Sequence, residues 1–95
     1  MTMDFIYHSD AGHGWLFANN AQLVELGLTR SSFTQYSYCN FDGVYAEEDC
    51  DAAIIVNAAK DQGKEYAFVV LDRTEYGQER YADGDHWIRN LQRCA

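Results

Sequence analysis

The chain has 95 residues, which is enough for one small domain and too few for two. Fifteen acidic against seven basic side chains leave a formal charge of −8. That balance disfavours direct nucleic-acid binding, where affinity for phosphate comes mainly from Lys and Arg. Nearly half the residues are hydrophobic and many are aromatic, so disorder is excluded, and no apolar run is long enough to span a bilayer.

The N-terminal residues lack a basic stretch followed by an apolar one, so no secretory signal is expected. Phe5 to His8 is short, aromatic and β-branched, the signature of a first strand. Ser9 to Gly14 is dense in turn formers, and Trp15 to Ala18 reads as the second strand of a hairpin. Asn19 or Asn20 can cap a short helix over Ala21–Leu26, which Gly27 ends. Arg30 to Ser32 is a connection.

The alternation of Thr34, Tyr36 and Tyr38 with Gln35, Ser37 and Cys39 predicts a third strand over Phe33–Cys39. Asn40-Phe41-Asp42-Gly43 is a hairpin turn, and Val44–Glu47 the returning strand. Asp49 or Asp51 caps a second helix that runs to about Gln62 and stops at Gly63. Ala52, Ile55, Val56 and Ala59 recur at helical spacing and face the sheet. Lys64–Leu71 is apolar on both faces, which predicts an interior fifth strand. Residues 72–95 form a C-terminal extension, either a short helix around Trp87, Ile88 and Leu91 or an irregular tail pinned by Trp87. The expectation is a single α+β domain over residues 1–95. Its order is ββαββαβ, with two helices on one face of a mostly antiparallel sheet of about five strands.

Acidic residues fall in two clusters. One holds Asp42, Glu47, Glu48, Asp49 and Asp51; the other includes Asp83 and Asp85. Helix capping and the helix dipole account for one or two of the first group, at about 0.3–1 kcal/mol per charge. The remaining carboxylates repel one another and point to an external role. Solubility of a small acidic protein is the simpler account. Tyr36, Tyr38 and Tyr45 share one sheet face in this reading, and amphipathic aromatics beside carboxylates suit a protein-binding surface. An aromatic core explains them equally well. Cysteines 39, 50 and 94 are odd in number and form no C-x-x-C pair, which suggests reduced thiols in the cytosol and no zinc knuckle. Cys50 stands between two aspartates that raise its pKa, the wrong setting for a nucleophile.

His8, Asp10 and His13 lie within six residues. They could serve a small enzyme or a metal site, with His86 or a cysteine completing the shell. The spacing matches no closed structural zinc pattern, and turn chemistry around Gly12 and Gly14 accounts for the segment without a metal. Neither a phosphate-binding glycine loop nor an EF-hand pattern occurs. No cofactor, metal or catalytic residue is therefore expected.

Tyr7-His8-Ser9-Asp10-Ala11-Gly12-His13-Gly14-Trp15-Leu16, with Leu26-Gly27, Tyr36-Ser37-Tyr38 and Tyr45-Ala46-Glu47-Glu48-Asp49-Cys50-Asp51-Ala52, carries a resemblance. The chain resembles a group of small proteins borne by bacteriophages, plasmids and other bacterial mobile elements, over residues 5–71 or so. The tail departs from it, and the group supplies no catalytic residues to carry over. Small acidic proteins of mobile elements are often similar to host-defence inhibitors, including anti-CRISPR and anti-restriction proteins, some of which mimic nucleic acid. The association implies a non-enzymatic, cytoplasmic inhibitor of the bacterial host. Asp42, Glu47, Glu48, Asp49, Asp51, Asp83 and Asp85, with Tyr36, Tyr38 and Tyr45, would meet a basic surface of a CRISPR effector subunit and block target DNA. The alternatives are the small enzyme or metal protein built on His8, Asp10 and His13, and a homodimeric regulatory module.

Overall fold

A computed structural model describes residues 2–9, 12–72, 88 and 91–94. Six strands form one sheet: β1 (Thr2–Ser9), β2 (Gly14–Asn19), β3 (Tyr38–Asn40), β4 (Gly43–Glu47), β5 (Glu65–Asp72) and β6 (Gln92–Arg93). Their order across the sheet is β5-β1-β2-β4-β3-β6. Two helices, α1 (Asn20–Leu26) and α2 (Ala52–Asp61), follow the first and second hairpins. The α+β class and the ββαββαβ order are as expected, with β6 added by the C-terminal extension. Among the described residues all pairings are antiparallel except β1 with β5.

Local signals place α1 closely. The Asn19 side chain accepts from the Gln22 backbone N–H at 2.8 Å, and the Gln22 side chain accepts from the Asn19 N–H at 2.9 Å. This reciprocal capping box satisfies two donors that a helix start leaves orphaned. The Gln22 side chain also donates to the Asp4 carbonyl at 2.8 Å, which ties the helix to β1. Gly27 ends it at φ 73°, in the left-handed region that glycine enters without Cβ strain.

The β3–β4 turn spans Phe41 and Asp42, and β4 then pairs alongside β2, with Asn19 opposite Gly43. A Cβ on Gly43 would stand 2.2 Å from the Ala18 carbonyl oxygen, so only glycine fits there.

The two faces of the sheet differ in chemistry. Phe5, Leu16, Ala18, Val44 and Ala46 meet Leu23 and Leu26 of α1 and Ile55 and Ala59 of α2 in an aliphatic core. Strand alternation sends the intervening residues to the other side. There Trp15, Tyr38 and Tyr45 form a second core with Phe17, closed by Ile88 and Leu91. The tail therefore packs through Ile88, and β6 pairs with β3 through Tyr38↔Arg93 and Cys39↔Gln92. Trp87 lies outside the described residues. A disulfide joins Cys39 to Cys94, with Cα atoms 5.3 Å apart, and this corrects the expectation of three reduced thiols. Cys50 is free and exposed.

Two strand expectations are also corrected. The third strand is confined to Tyr38–Asn40 instead of starting at Phe33, because Thr34 and Ser37 turn inward to a buried carboxylate. The fifth strand lies at the sheet edge. After α2 the chain crosses over to pair in parallel with β1, from Thr2↔Glu65 to Ser9↔Asp72. Phe68, Val69 and Val70 remain 47%, 44% and 60% exposed, so apolarity on both faces did not signal an interior place. No helix among the described residues is long and apolar enough to cross a membrane.

Candidate functional site

Where β4 hands over to α2, the chain carries four carboxylates with four different fates. Asp51 occupies the N-cap position of α2, but its side chain makes no capping bond. It is fully buried and points back to the segment before β3. There it accepts from the Thr34 N–H at 2.8 Å, from Thr34 Oγ1 at 2.9 Å and from Ser37 Oγ. Ser37 Oγ in turn accepts from the Glu47 N–H at 3.0 Å. All three donors reach Oδ2, and through them Asp51 welds the entry of β3 to the exit of β4, while Oδ1 is buried with no hydrogen-bond partner among the described residues.

Glu47 is also buried. Its Oε1 accepts from the N–H groups of Asp49 and Cys50, at 2.7 and 3.0 Å. Its Oε2 lies 3.2 Å from His13 Nδ1 across the sheet. Glu48 and Asp49 remain exposed. The Glu48 N–H donates to the Gly14 carbonyl at 2.9 Å, and its carboxylate accepts from the Tyr7 hydroxyl. A Cβ on Gly14 would meet that hydroxyl at 1.8 Å, so the contact requires glycine. Burial first, then the Glu48 hydrogen bond and the charges of Glu48, Glu47 and Asp49, pushes the Tyr7 phenol far above its ordinary range. It stays protonated and acts as a donor.

Beside this corner opens a cleft of about 300 Å³, lined by His13, Trp15, Tyr36, Tyr38, Glu47, Asp49, Cys50 and Arg93. The Trp15 ring lies 6.2 Å from that of His13 and 6.4 Å from Tyr38. The Arg93 guanidinium stacks 4.5 Å over the Tyr38 ring and donates to the Gln35 carbonyl at 3.1 Å. Desolvation, reinforced by Glu47 and then by Asp51 and Asp49, raises the Cys50 thiol pKa. The thiolate needed for nucleophilic chemistry is thereby disfavoured.

The sequence-derived site residues divide on this geometry. Glu47, Asp51, Tyr38 and Tyr45 are buried, the acids in internal bonds and the tyrosines in the second core, so they offer little surface to a docking protein. Tyr36 is 52% exposed, in a turn where a strand was expected. Asp42 is exposed but belongs to the opposite end of β4 from Glu48 and Asp49, roughly 16 Å away at strand rise. The run of acids in sequence is therefore not one patch in space. Asp83 and Asp85 lie outside the described residues, as does Asp10. His8 is buried on β1 with its ring 5.7 Å from Tyr45, whereas His13 is exposed and turned to Glu47. Sequence reading missed Arg93 and the pairing of His13 with Glu47, which are distant along the chain. It also missed the role of Thr34 and Ser37, although their i, i+3 hydroxyls before a buried acid were a usable signal.

No family model matches the chain, and neither a curated protein nor a solved structure shows significant similarity to it.

Proposed function

We propose that the protein is a non-enzymatic inhibitor that binds a basic protein surface through this cleft and its acidic rim. The supporting observation is the cleft's treatment of a cation: it already stacks one guanidinium, Arg93, on Tyr38. Tyr36, Trp15 and Asp49 line the remaining wall, and Glu48 is exposed beside it. Aromatic faces and carboxylates together attract Lys and Arg side chains. The net charge of −8 adds long-range attraction and fast association. With the resemblance to mobile-element proteins, the partner class is a host-defence effector, foremost a CRISPR effector subunit; in the reducing cytosol where such an effector acts, the Cys39–Cys94 pair would stand as thiols. The inhibitor would occupy a Lys/Arg groove that target DNA needs.

The test is a pull-down with purified CRISPR surveillance complexes at low and high salt, with target DNA as competitor. Binding that salt weakens and DNA displaces is expected. The double variant Glu48→Lys/Asp49→Lys should lose it while circular dichroism shows the fold retained, because both side chains are exposed and only the Tyr7–Glu48 bond is given up. Capture by no complex would sink the partner class. Capture that neither salt nor charge reversal disturbs would sink the acidic mechanism.

A further inference from the structure

His13 and Glu47 in the cleft wall and Glu48 at its rim have a chemistry beyond docking. His13, Glu47 and Glu48 each bring a ligand atom to the same corner, all within 4.8 Å of one another. We propose that these three residues bind a divalent transition-metal ion of the zinc class.

Ligands about 2.0–2.2 Å from a tetrahedral zinc stand roughly 3.4 Å apart. His13 Nδ1 and Glu47 Oε2 are 3.2 Å apart, already at that spacing. Glu47 cannot swing freely, since its Oε1 is fixed by the N–H groups of Asp49 and Cys50. That leaves Oε2 directed at the imidazole. Glu48 is anchored at its backbone by the Gly14 carbonyl and at its side chain by the Tyr7 hydroxyl. Such outer partners orient ligands before the ion arrives. An imidazole nitrogen with two carboxylates favours zinc, cobalt or manganese over calcium and magnesium, which prefer oxygen alone. Two carboxylates also balance the charge of a divalent ion, and three protein donors leave a fourth position to water.

The ligands come from the β1–β2 loop and from the end of β4 with the residue that follows it, so an ion would clip together two segments far apart in sequence. The site differs from a His8–Asp10–His13 cluster: His8 is buried on β1, and Glu47 and Glu48 take the place of the local acid.

The test uses the full chain, stripped with chelator and titrated with Zn²⁺ by calorimetry and with Co²⁺ by visible absorption. One ion per chain is expected, with the bands of a nitrogen–oxygen Co²⁺ site. His13→Ala and Glu48→Gln should each weaken binding at least tenfold, in the range typical when a ligand or its support is lost. Glu48→Gln keeps an oxygen acceptor for the Tyr7 hydroxyl, so its melting temperature without metal should stay near wild type, and circular dichroism of His13→Ala should show the fold intact. Cys50→Ser should bind as wild type. Absence of stoichiometric binding would reduce the group to a hydrogen-bonded pair and overturn the site. Full affinity in either ligand variant, or loss of affinity in Cys50→Ser, would also overturn it.

Discussion

The two faces of the sheet are built by different rules. The helix-covered face is aliphatic, and each of its helices follows directly on the hairpin it packs against. Its signals are local: an Asn19–Gln22 capping box, a glycine stop, and apolar residues at helical spacing. The opposite face is aromatic and polar, and it is completed by the distant end of the chain through Ile88, Leu91 and β6. The cleft lies on this second face, where the residues before β2, before β3 and after β4 meet Arg93 of β6.

The Cys39–Cys94 disulfide offers the strongest way to break this contrast. It closes a loop with a sequence separation of 55, and removing it is expected to cost about 4 kcal/mol. In Cys39→Ser/Cys94→Ser, Trp15 emission should shift to the red as the aromatic face opens, while helical circular dichroism persists at low temperature. Loss of both signals together would mean that the faces are not independent.

Replacing Asp51 by Ala should cost about 3 kcal/mol, because the Ser37 hydroxyl would be left buried and unpaired and both Thr34 bonds would be lost. Asp49→Ala, two residues away and exposed, should stay within about 0.5 kcal/mol. Urea melts of the pair measure the difference, and equal effects would contradict the division of the acids. On the helical face, Asn19→Ala should cost about 1 kcal/mol through the capping box and leave Trp15 emission unchanged. The smallest effect concerns Cys50. Its raised pKa should make alkylation by iodoacetamide at pH 8 several-fold slower than that of a cysteine in a short peptide. The rate should keep climbing above the pH at which the peptide levels off. A rate equal to the peptide's would remove the carboxylate influence.

What the sequence made legible follows the same division. Both hairpins and both helices are readable because their determinants lie within a few residues: Gly12 to Gly14, Asn19 with Gly27, Asp42-Gly43, and Gly63. β5 was misplaced because Tyr66 to Val70 report hydrophobicity but not neighbours, and an edge strand can be as apolar as a central one. The acids illustrate the second limit. Glu47, Glu48, Asp49 and Asp51 look alike in a string, yet burial separates them, and it depends on Thr34, Ser37 and His13. Those residues come from the segments before β3 and before β2, outside the acidic run. The aromatics Tyr38 and Tyr45 are likewise core because they stand opposite each other across β3 and β4.

The parallel pairing of β1 with β5 sets a timetable for assembly. β1 lies between β2 and β5, and its two neighbours are synthesised at very different moments. The hairpin to β2 can close within a few residues, whereas Thr2↔Glu65 must wait for roughly sixty more to emerge. During that interval one edge of the N-terminal strand, with the apolar Met3 and Phe5 beside it, has no native partner. The crossover through α2 must form before that edge is sealed. Folding of the whole domain therefore depends on its most distant strand pair, and a nascent chain halted before residue 65 would expose a hairpin ready to pair with another copy.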